Sequence, residues 1–194
     1  MLKIFTMALG AYQTNCYLVW QEGCKECLVI DPGYEAQTIA AQAEKRGLEI
    51  AGVLLTHGHF DHVGAVRELV MDRDIPVYLN AQDTAMPPQM TAGPLYYTDN
   101  YGDTVTLAGI TFRVIPTPGH TPGSVCLLTE NHLFSGDTLF AGSVGRSDFP
   151  GGSARTLQDS VRRLFRELPE DTNVYPGHES ETDIGYEKRY NPYA

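Results

Sequence analysis

Hydrophobic residues in the first 80 positions follow the periods of a strand-rich fold. Five short runs rich in β-branched, aromatic or other apolar residues predict strands. These strands cover residues 3–7, 15–20, 27–31, 50–56 and 76–79. The run 50–56 is apolar along its length, which is typical of a strand covered on both faces. Apolar residues at helical spacing predict helices over 35–46 and 63–71.

The second half of the chain shows the same mixture of patterns. Its predicted strands cover residues 104–107, 110–115, 124–128, 132–135 and 173–175. A helix begins after Ser153, a favoured N-cap residue, and carries an apolar stripe. That stripe consists of Leu157, Val161, Leu164, Phe165 and Leu168. Residues 142–152 are rich in glycine, and the chain after His178 is polar and rich in tyrosine.

One long segment, residues 85–100, has no hydrophobic period. It contains turn-forming residues, two methionines and two tyrosines. We expect a surface loop there, which either covers a substrate or is an ordinary packed connection.

Both halves of the sequence contain strands and are closed by helices. Because each sheet must bury its apolar face, this arrangement predicts two sheets packed together with helices outside, rather than one parallel sheet. The expected fold class is therefore α/β (α+β). With 194 residues and 42% hydrophobic content, residues 1–194 are expected to form a single domain.

Charge and hydropathy narrow the range of partners. The chain has 14 Lys and Arg against 24 Asp and Glu, a formal charge of -10, so no nucleic-acid partner is expected. No run reaches the ~18 apolar residues of a membrane span, so no membrane partner is expected. Lys3 alone could form a charged n-region, and polar residues interrupt the N-terminal apolar stretch. We therefore expect a soluble, cytoplasmic protein.

Four cysteines are present, and in a reducing cytoplasm they are expected as free thiols. Only Cys24 and Cys27 form a C-x2-C motif, which supplies half of a structural zinc site. The motif lies where a hairpin turn is expected. We interpret it as two turn thiols without function, with a redox pair or a metal shared between subunits as the alternatives.

The densest group of potential metal ligands lies between strand 50–56 and the next predicted helix. Its sequence is Thr56-His57-Gly58-His59-Phe60-Asp61-His62. Histidines two apart on an extended segment can point to the same side, so His57 and His59 can bind one ion. Asp61 and His62 can turn toward a neighbouring ion at the start of the helix. A lone histidine is most often structural, but three with an aspartate in one short segment indicate a metal site.

Three further candidate ligands follow later strands. His120 and His178 end the turn sequences TPGH and YPGH, and both look like loop tips directed at one site. Asp137, in the sequence SGDT, has the same context of a strand followed by glycine and can donate a carboxylate oxygen to each of two metals. The sixth histidine, His132, lacks this context and is assigned to a hairpin surface.

The order H-x-H-x-D-H followed by a later His, Asp and His resembles the metallo-β-lactamase fold superfamily of metal-dependent hydrolases. The resemblance covers nearly the whole chain. It implies a four-layer αβ/βα sandwich with two divalent metal ions at one edge between the sheets. Zinc is the expected metal, and iron and manganese are the alternatives. The resemblance also implies that His57, His59 and His120 hold the first metal, that Asp61, His62 and His178 hold the second, and that Asp137 bridges them.

The branch of the superfamily is indicated by further residues. Lactamases proper usually carry cysteine at the place of Asp137 and lack a histidine at that of His62, which disfavours antibiotic hydrolysis. The sequences SGDTLFAG and GRSDF instead resemble the glyoxalase II group (hydroxyacylglutathione hydrolases), especially its short single-domain members, and the related persulfide dioxygenases. In glyoxalase II a basic residue at the place of Arg146 contacts glutathione. Glyoxalase II also has a tyrosine two residues after the last ligand, where this chain has Ser180. A solvated loop charge is the alternative reading of Arg146.

The implied activity is hydrolysis of a small-molecule thioester of the S-lactoylglutathione type. A hydroxide bridging the metals would attack the carbonyl, because metal-bound water ionises near neutral pH, and Asp61 would orient that hydroxide as a catalytic residue. Both a monomer and a homodimer are compatible with the sequence.

Three alternatives are open. A mononuclear iron persulfide dioxygenase would use only His57, His120 and Asp137, a ligand set suited to iron and oxygen. A metal-binding protein without catalysis is disfavoured by the seven-ligand set, because structural zinc is usually closed off by four ligands. A nucleic-acid-processing hydrolase is disfavoured by the negative charge.

Overall fold

The computed structural model describes residues 1–91 and 93–194. The first six strands form one sheet in chain order. They are β1 (Leu2–Leu9), β2 (Thr14–Gln21), β3 (Glu26–Ile30), β4 (Glu49–Leu54), β5 (Val77–Leu79) and β6 (Asp99–Asn100). The pairs β1–β2 and β2–β3 are antiparallel, and β3 to β6 run parallel.

The remaining strands form a second six-stranded sheet and a separate hairpin. They are β7 (Thr104–Leu107), β8 (Ile110–Pro116), β9 (Val125–Thr129), β10 (His132–Gly136), β11 (Leu139–Phe140), β12 (Ser143–Val144), β13 (Asn173–Pro176) and β14 (Thr182–Asp183). The hairpin is β11–β12, and the sheet order is β14-β13-β10-β9-β8-β7. All neighbours in this sheet are antiparallel except β10 and β13.

Within residues 1–91 and 93–194, five α-helices accompany the sheets. They are α1 (Ala36–Lys45), α2 (Phe60–Val63), α3 (Val66–Val70), α4 (Ala154–Glu167) and α5 (Ile184–Tyr190). Among the described residues, no helix has both the length and the hydrophobicity of a membrane span.

Three buried clusters define the layers. In the central cluster, Leu28 and Leu54 of the first sheet pack with Phe112 and Phe134 of the second. On the other side of the first sheet, Val29 and Val53 pack with residues of α1 and α3, and a third cluster joins the second sheet to α4. Leu28 and Val29 therefore bury opposite faces of one strand, which explains why these strands read as continuous apolar runs. The predicted four-layer αβ/βα sandwich is confirmed.

The predicted helix 63–71 differs from the structure, which contains two shorter helices, α2 and α3, separated at Gly64. A Cβ atom on Gly64 would overlap the carbonyl oxygen of Gly33, so the chain can only pass this turn with glycine. The backbone N–H of Ala65 donates to the carbonyl of Pro32 at 3.0 Å instead of continuing a helical ladder. The first of the two helices, α2, begins at Phe60 and contains Asp61 and His62.

Three segments contain elements that the hydrophobic pattern did not predict. The glycine-rich segment 142–152 begins within the β11–β12 hairpin, and the loop 85–100 contains a 3-10 turn at Pro88–Met90 and ends in β6. The polar C-terminal segment forms β14 and α5. Asp183 caps α5 by accepting a hydrogen bond from the backbone N–H of Tyr186 at 2.7 Å.

Candidate metal centre

All the predicted metal ligands lie just beyond the C-terminal ends of strands. His57 to His62 follow β4, His120 follows β8, Asp137 follows β10 and His178 follows β13. Because β10 and β13 are parallel, their ends lie at the same edge of the second sheet. The backbone N–H of Gly177 donates to the carbonyl of Gly136 at 2.8 Å and ties these two loops together.

The glycines before Asp137 and His178 are required by close approaches. Gly136 has φ of 49°, and a Cβ there would overlap the side chain of Thr56. A Cβ on Gly177 would overlap Asp137 Oδ1 and come within 2.7 Å of the His62 ring. The strand-then-glycine pattern in the sequence therefore has a steric cause, since it lets two strand ends converge on one point.

The structure brings the three ligands predicted for the first metal together. One ring nitrogen from each of His57, His59 and His120 lies within 4.8 Å of the others. His120 Nε2 is 3.2 Å from His57 Nε2 and 2.8 Å from His59 Nδ1. All three side chains are buried.

The three ligands predicted for the second metal converge beside the first group. Donor atoms of Asp61, His62 and His178 also lie within 4.8 Å of one another. Asp61 Oδ2 is 3.2 Å from His178 Nε2 and 3.7 Å from His62 Nε2. Thr14 Oγ1 donates to the same carboxylate oxygen at 3.3 Å.

Asp137 lies between the two groups, as a bridging ligand requires. Its Oδ2 is 3.4 Å from His120 Nε2 of the first group and 3.7 Å from His178 Nε2 of the second. Its Oδ1 is 3.3 Å from His62 Nε2. The structure therefore brings all seven predicted ligands together, and their assignment to two metals stays a prediction.

Hydrogen bonds behind the rings of His120 and His178 fix which ring nitrogen faces the cluster. The Nδ1 atom of His120 lies 2.6 Å from the carbonyl of Arg146, and that of His178 lies 3.2 Å from the carbonyl of Tyr12. A carbonyl only accepts, so each Nδ1–H donates to it. The Nε2 atom of each ring consequently points into the cluster, and in the neutral ring it carries the lone pair that can bind a metal.

Asp31 performs this supporting role for His62 and His57, and sequence reasoning missed it. Its Oδ2 accepts from His62 Nδ1 at 2.9 Å and from the Thr56 hydroxyl at 2.6 Å, while Oδ1 accepts from the Thr56 backbone N–H at 2.8 Å. Because the Thr56 proton goes to Asp31, the Thr56 oxygen accepts from His57 Nδ1 at 3.1 Å. The only sequence signal was an aspartate directly after the buried strand β3, without the preceding glycine that marks Asp137.

Two buried polar atoms in the cluster have no hydrogen-bond partner among the described residues, namely His62 Nε2 and Asp137 Oδ1. An unpaired acceptor on a buried group is costly unless a proton or a cation lies there. Imidazole nitrogens and carboxylate oxygens are ligands that zinc, iron and manganese accept. The residues present therefore fit a metal centre.

The pKa shifts separate neutral from protonated histidines in the metal-free cluster. Burial and the neighbouring histidines lower the pKa of His59 to about 4 and that of His57 well below its usual value, so both are neutral at pH 7. Burial would lower the pKa of His62 as well, but Asp137 and Asp31 outweigh it and raise that pKa well above its usual value. Without a cation, a proton on His62 compensates the surrounding carboxylates.

A cavity of about 360 Å³ opens onto the cluster. Its lining combines predicted ligands with aromatic side chains, and these aromatic residues are Tyr12, Phe60, Phe140 and Phe149. A concave, largely apolar wall with a few polar groups at one end is typical of a small-molecule site.

Arg146 lies at the rim of this cavity, where the resemblance placed a substrate contact. Its Nε and Nη2 each donate to Asp148 at 2.8 Å, and its guanidinium lies 3.6 Å from the centre of the Phe149 ring. The Arg146–Asp148 pair raises the pKa of Arg146 and lowers that of Asp148 to about 2. The backbone carbonyl of Arg146 also orients His120, so this loop serves both the rim and the cluster.

The other predicted sites lie outside the cluster. His132 is half-buried at the start of β10, with Nδ1 3.2 Å from the Tyr175 hydroxyl. Cys24 is exposed in the turn before β3, whereas Cys27 is buried inside that strand. Because Cys27 is a core residue, the interpretation of both thiols as turn residues is correct only for Cys24.

The fold is a two-sheet sandwich with a cluster of His and Asp residues at the ends of its strands. This combination is typical of metal-dependent hydrolases. Residues 9–178 match the family model of the metallo-beta-lactamase superfamily. The chain belongs to this superfamily, which confirms the resemblance read from the sequence.

Several individual proteins are similar to almost the whole chain. Hydroxyacylglutathione hydrolase GloC of Haemophilus influenzae is 35% identical over 99% of this chain and 98% of its own. The structure of the BLEG-1 B3 metallo-beta-lactamase has a TM-score of 0.88 and 37% identity, covering 98% of this chain and 99% of that one.

Two further solved structures are similar over almost the whole chain, and one of them is a di-iron-bound form. TTHA1623 in a di-iron-bound form has a TM-score of 0.87 and 39% identity, covering 98% of this chain and 100% of that one. ETHE1 from Myxococcus xanthus has a TM-score of 0.80 and 31% identity, covering 98% of this chain and 83% of that one. Relatives of comparable sequence identity thus carry different names, and one of them binds iron.

Proposed function

We propose that the protein is a metal-dependent hydrolase of small-thiol thioesters. The seven side chains of the cluster would hold two divalent cations, and zinc is the preferred candidate metal. The position of Asp137 between the two ligand groups is the observation that carries this proposal. The likeness to hydroxyacylglutathione hydrolase GloC supports the choice of substrate class.

The proposed assignment of ligands follows the geometry. His57, His59 and His120 would hold the first cation, Asp61, His62 and His178 would hold the second, and Asp137 would serve both. Bound divalent cations would act as Lewis acids and lower the pKa of water, which supplies the hydrolytic chemistry at neutral pH. The protein contributes the positions and protonation states of the groups around them.

Asp61 is proposed as the residue that orients the attacking water. It lines the cavity, and its Oδ2 is held by Thr14 at 3.3 Å and faces His178 at 3.2 Å. Burial would raise the pKa of Asp61, but the hydrogen bond from His178 and the charge of His62 lower it. Asp61 is therefore ionised at neutral pH and accepts hydrogen bonds.

The cavity wall accounts for the remaining parts of the proposal. Aromatic side chains around the opening would cover the acyl group and exclude bulk water. Arg146 at the rim would contact the thiol portion of the substrate. A thiolate is a good leaving group, so the site needs no strong general acid.

The test begins with protein purified without added metal. Zinc, iron and manganese are quantified per chain, and the same sample is assayed with S-lactoylglutathione. We expect close to two cations per chain and thioester hydrolysis that a chelator abolishes. Because the BLEG-1 structure is described as a lactamase, a β-lactam is assayed in parallel. Hydrolysis of the β-lactam without hydrolysis of the thioester would overturn the proposal.

An iron-dependent persulfide dioxygenase is the second candidate function. The likeness to ETHE1 and the proximity of His57, His120 and Asp137 support it, because two histidines and a carboxylate suit iron and oxygen. A single iron per chain, with oxygen consumption on glutathione persulfide and no thioester turnover, would favour this candidate over the hydrolase.

A further inference from the structure

Asp83 is a buried carboxylate outside the metal cluster, on a third loop. It follows β5 and ends a short 3-10 turn, Ala81–Asp83, which Asn80 caps by accepting from the backbone N–H of Gln82 at 3.0 Å. The side chain has no exposed surface. No lysine, arginine or histidine of the described chain forms an ion pair with it.

Three donors from two different loops converge on this carboxylate. Oδ2 accepts from the backbone N–H of Gly58 at 2.9 Å and from the Thr121 hydroxyl at 2.8 Å. Oδ1 accepts from the backbone N–H of Gly123 at 2.6 Å. Gly58 stands between His57 and His59, and Thr121 directly follows His120, so one side chain joins the two segments that carry the histidines of the first group.

The hydrogen-bond donors and acceptors around Asp83 can be assigned in one consistent way. Because Thr121 donates its hydroxyl proton to Asp83, its oxygen accepts from the Ser124 hydroxyl at 2.8 Å. Ser124 Oγ in turn accepts from the backbone N–H of Thr121 at 3.1 Å. Each hydroxyl proton therefore has one acceptor, and the network closes only if Asp83 accepts from all three of its donors.

Packing around Asp83 allows little movement. A Cβ on Gly123 would overlap the carboxylate, and a Cβ on Gly58 would lie 3.4 Å from the Asp83 Cβ. A buried charge without a counterion is costly, and the three hydrogen bonds are what compensate it. An asparagine has nearly the same shape, but its NH2 group would face at least one N–H or O–H donor.

We infer that Asp83 is a positioning residue for the first metal site, which holds His57 and His59 at the distance from His120 that a cation requires. This inference rests on the proposed metal centre. Asp83 would therefore affect metal affinity and would restrict the motion of the two loops that carry His57, His59 and His120. Both effects are additional to any effect on folding.

The test compares metal-free wild type, Asp83→Asn and Val161→Ala. Val161 is buried in the α4 cluster and takes no part in the hydrogen bonds of Asp83, so its truncation weakens the core without removing a donor or acceptor from either loop. Zinc affinity is measured by competition with a chelator of known affinity, and the cobalt-substituted proteins are compared by absorption spectroscopy. We expect Asp83→Asn to bind the first zinc roughly 10- to 100-fold more weakly and to change the cobalt spectrum, with wild-type affinity retained in Val161→Ala.

A readout without metal completes the test. Amide hydrogen exchange at Gly58 and Gly123 is measured in the metal-free proteins and is expected to accelerate in Asp83→Asn alone. If Asp83→Asn does not fold, Thr121→Val removes one donor only and is expected to weaken zinc binding roughly two- to tenfold, as one hydrogen bond would.

Two results would overturn the inference. One is a folded Asp83→Asn protein with zinc affinity within about twofold of wild type, or, where only Thr121→Val folds, unchanged affinity in that variant. The other is an equal loss of affinity in Val161→Ala. A wild-type protein that binds no zinc would instead contradict the metal centre itself, and it differs from both results because no variant would then bind.

Discussion

Replacing Asp31 by asparagine tests how the protein holds the second metal site. Asp31 has φ of 51°, a left-handed conformation that asparagine also tolerates, so this variant removes charge without adding backbone strain. If the amide oxygen keeps the Thr56 backbone N–H, the new NH2 group faces the Thr56 hydroxyl and His62 Nδ1. His62 Nδ1 can then no longer donate, so His62 must give up its Nδ1 proton and keep a proton on Nε2, the nitrogen that points into the cluster.

The magnitude follows from the lost contacts. A charge-assisted hydrogen bond contributes about 1.5–3 kcal/mol, and the 2.9 Å bond from His62 is lost or reversed. We therefore expect the free energy of unfolding of the metal-free protein to fall by roughly 2–4 kcal/mol. Binding of the second zinc is expected to weaken roughly 10- to 100-fold, the usual effect of removing such a supporting residue.

The assay combines urea denaturation of the metal-free protein with zinc competition titration. Asp171→Asn is the matched control, because it removes the same charge at an exposed position. Zinc binding by Asp31→Asn that equals that of Asp171→Asn would refute the reasoning, since His62 would then have kept its orientation without Asp31.

Further predictions concern pH, the cavity rim and the helix break. His62 has a raised pKa in the metal-free protein and must lose a proton when a cation binds. Zinc affinity should therefore fall as pH drops, and zinc binding should release protons, chiefly from His62. Calorimetry in buffers of different ionisation enthalpy measures this release, and its absence would contradict the assignment. Arg146→Gln should raise KM for an anionic thioester roughly two- to tenfold with little change in kcat, and an equal effect on an uncharged thioester would rule out charge recognition. Gly64→Ala should lower the free energy of unfolding by at least ~1 kcal/mol, although alanine favours helices, because its Cβ overlaps Gly33; an unchanged or higher Tm would contradict the packing argument.

The sequence was sufficient for the parts of the site that depend on local pattern. His57, His59 and His62 are close in the chain, and Asp137 and His178 each follow a strand and a glycine, so the cluster could be predicted from spacing and resemblance. The layers could also be predicted, because runs such as β4 are apolar on both faces.

Residues that act through long-range contacts could not be predicted in this way. Asp31 and Asp83 lie 25 positions from Thr56 and Gly58, respectively, and their roles depend on sheet order. The helix break at Gly64 depends on the distant Pro32–Gly33 turn, and α5 is short and polar, so its hydrophobic pattern is weak. The period of hydrophobic residues predicts which positions are buried, but it does not predict which loops contact each other.

The position of bound cations tests the central claim most directly. Crystals of the protein loaded with zinc would be measured on both sides of the zinc absorption edge. We predict two anomalous peaks per chain, one among His57, His59 and His120 and one beside His62 and His178, with Asp137 contacting both. A single peak held only by His57, His120 and Asp137, or peaks away from these residues, would contradict the account.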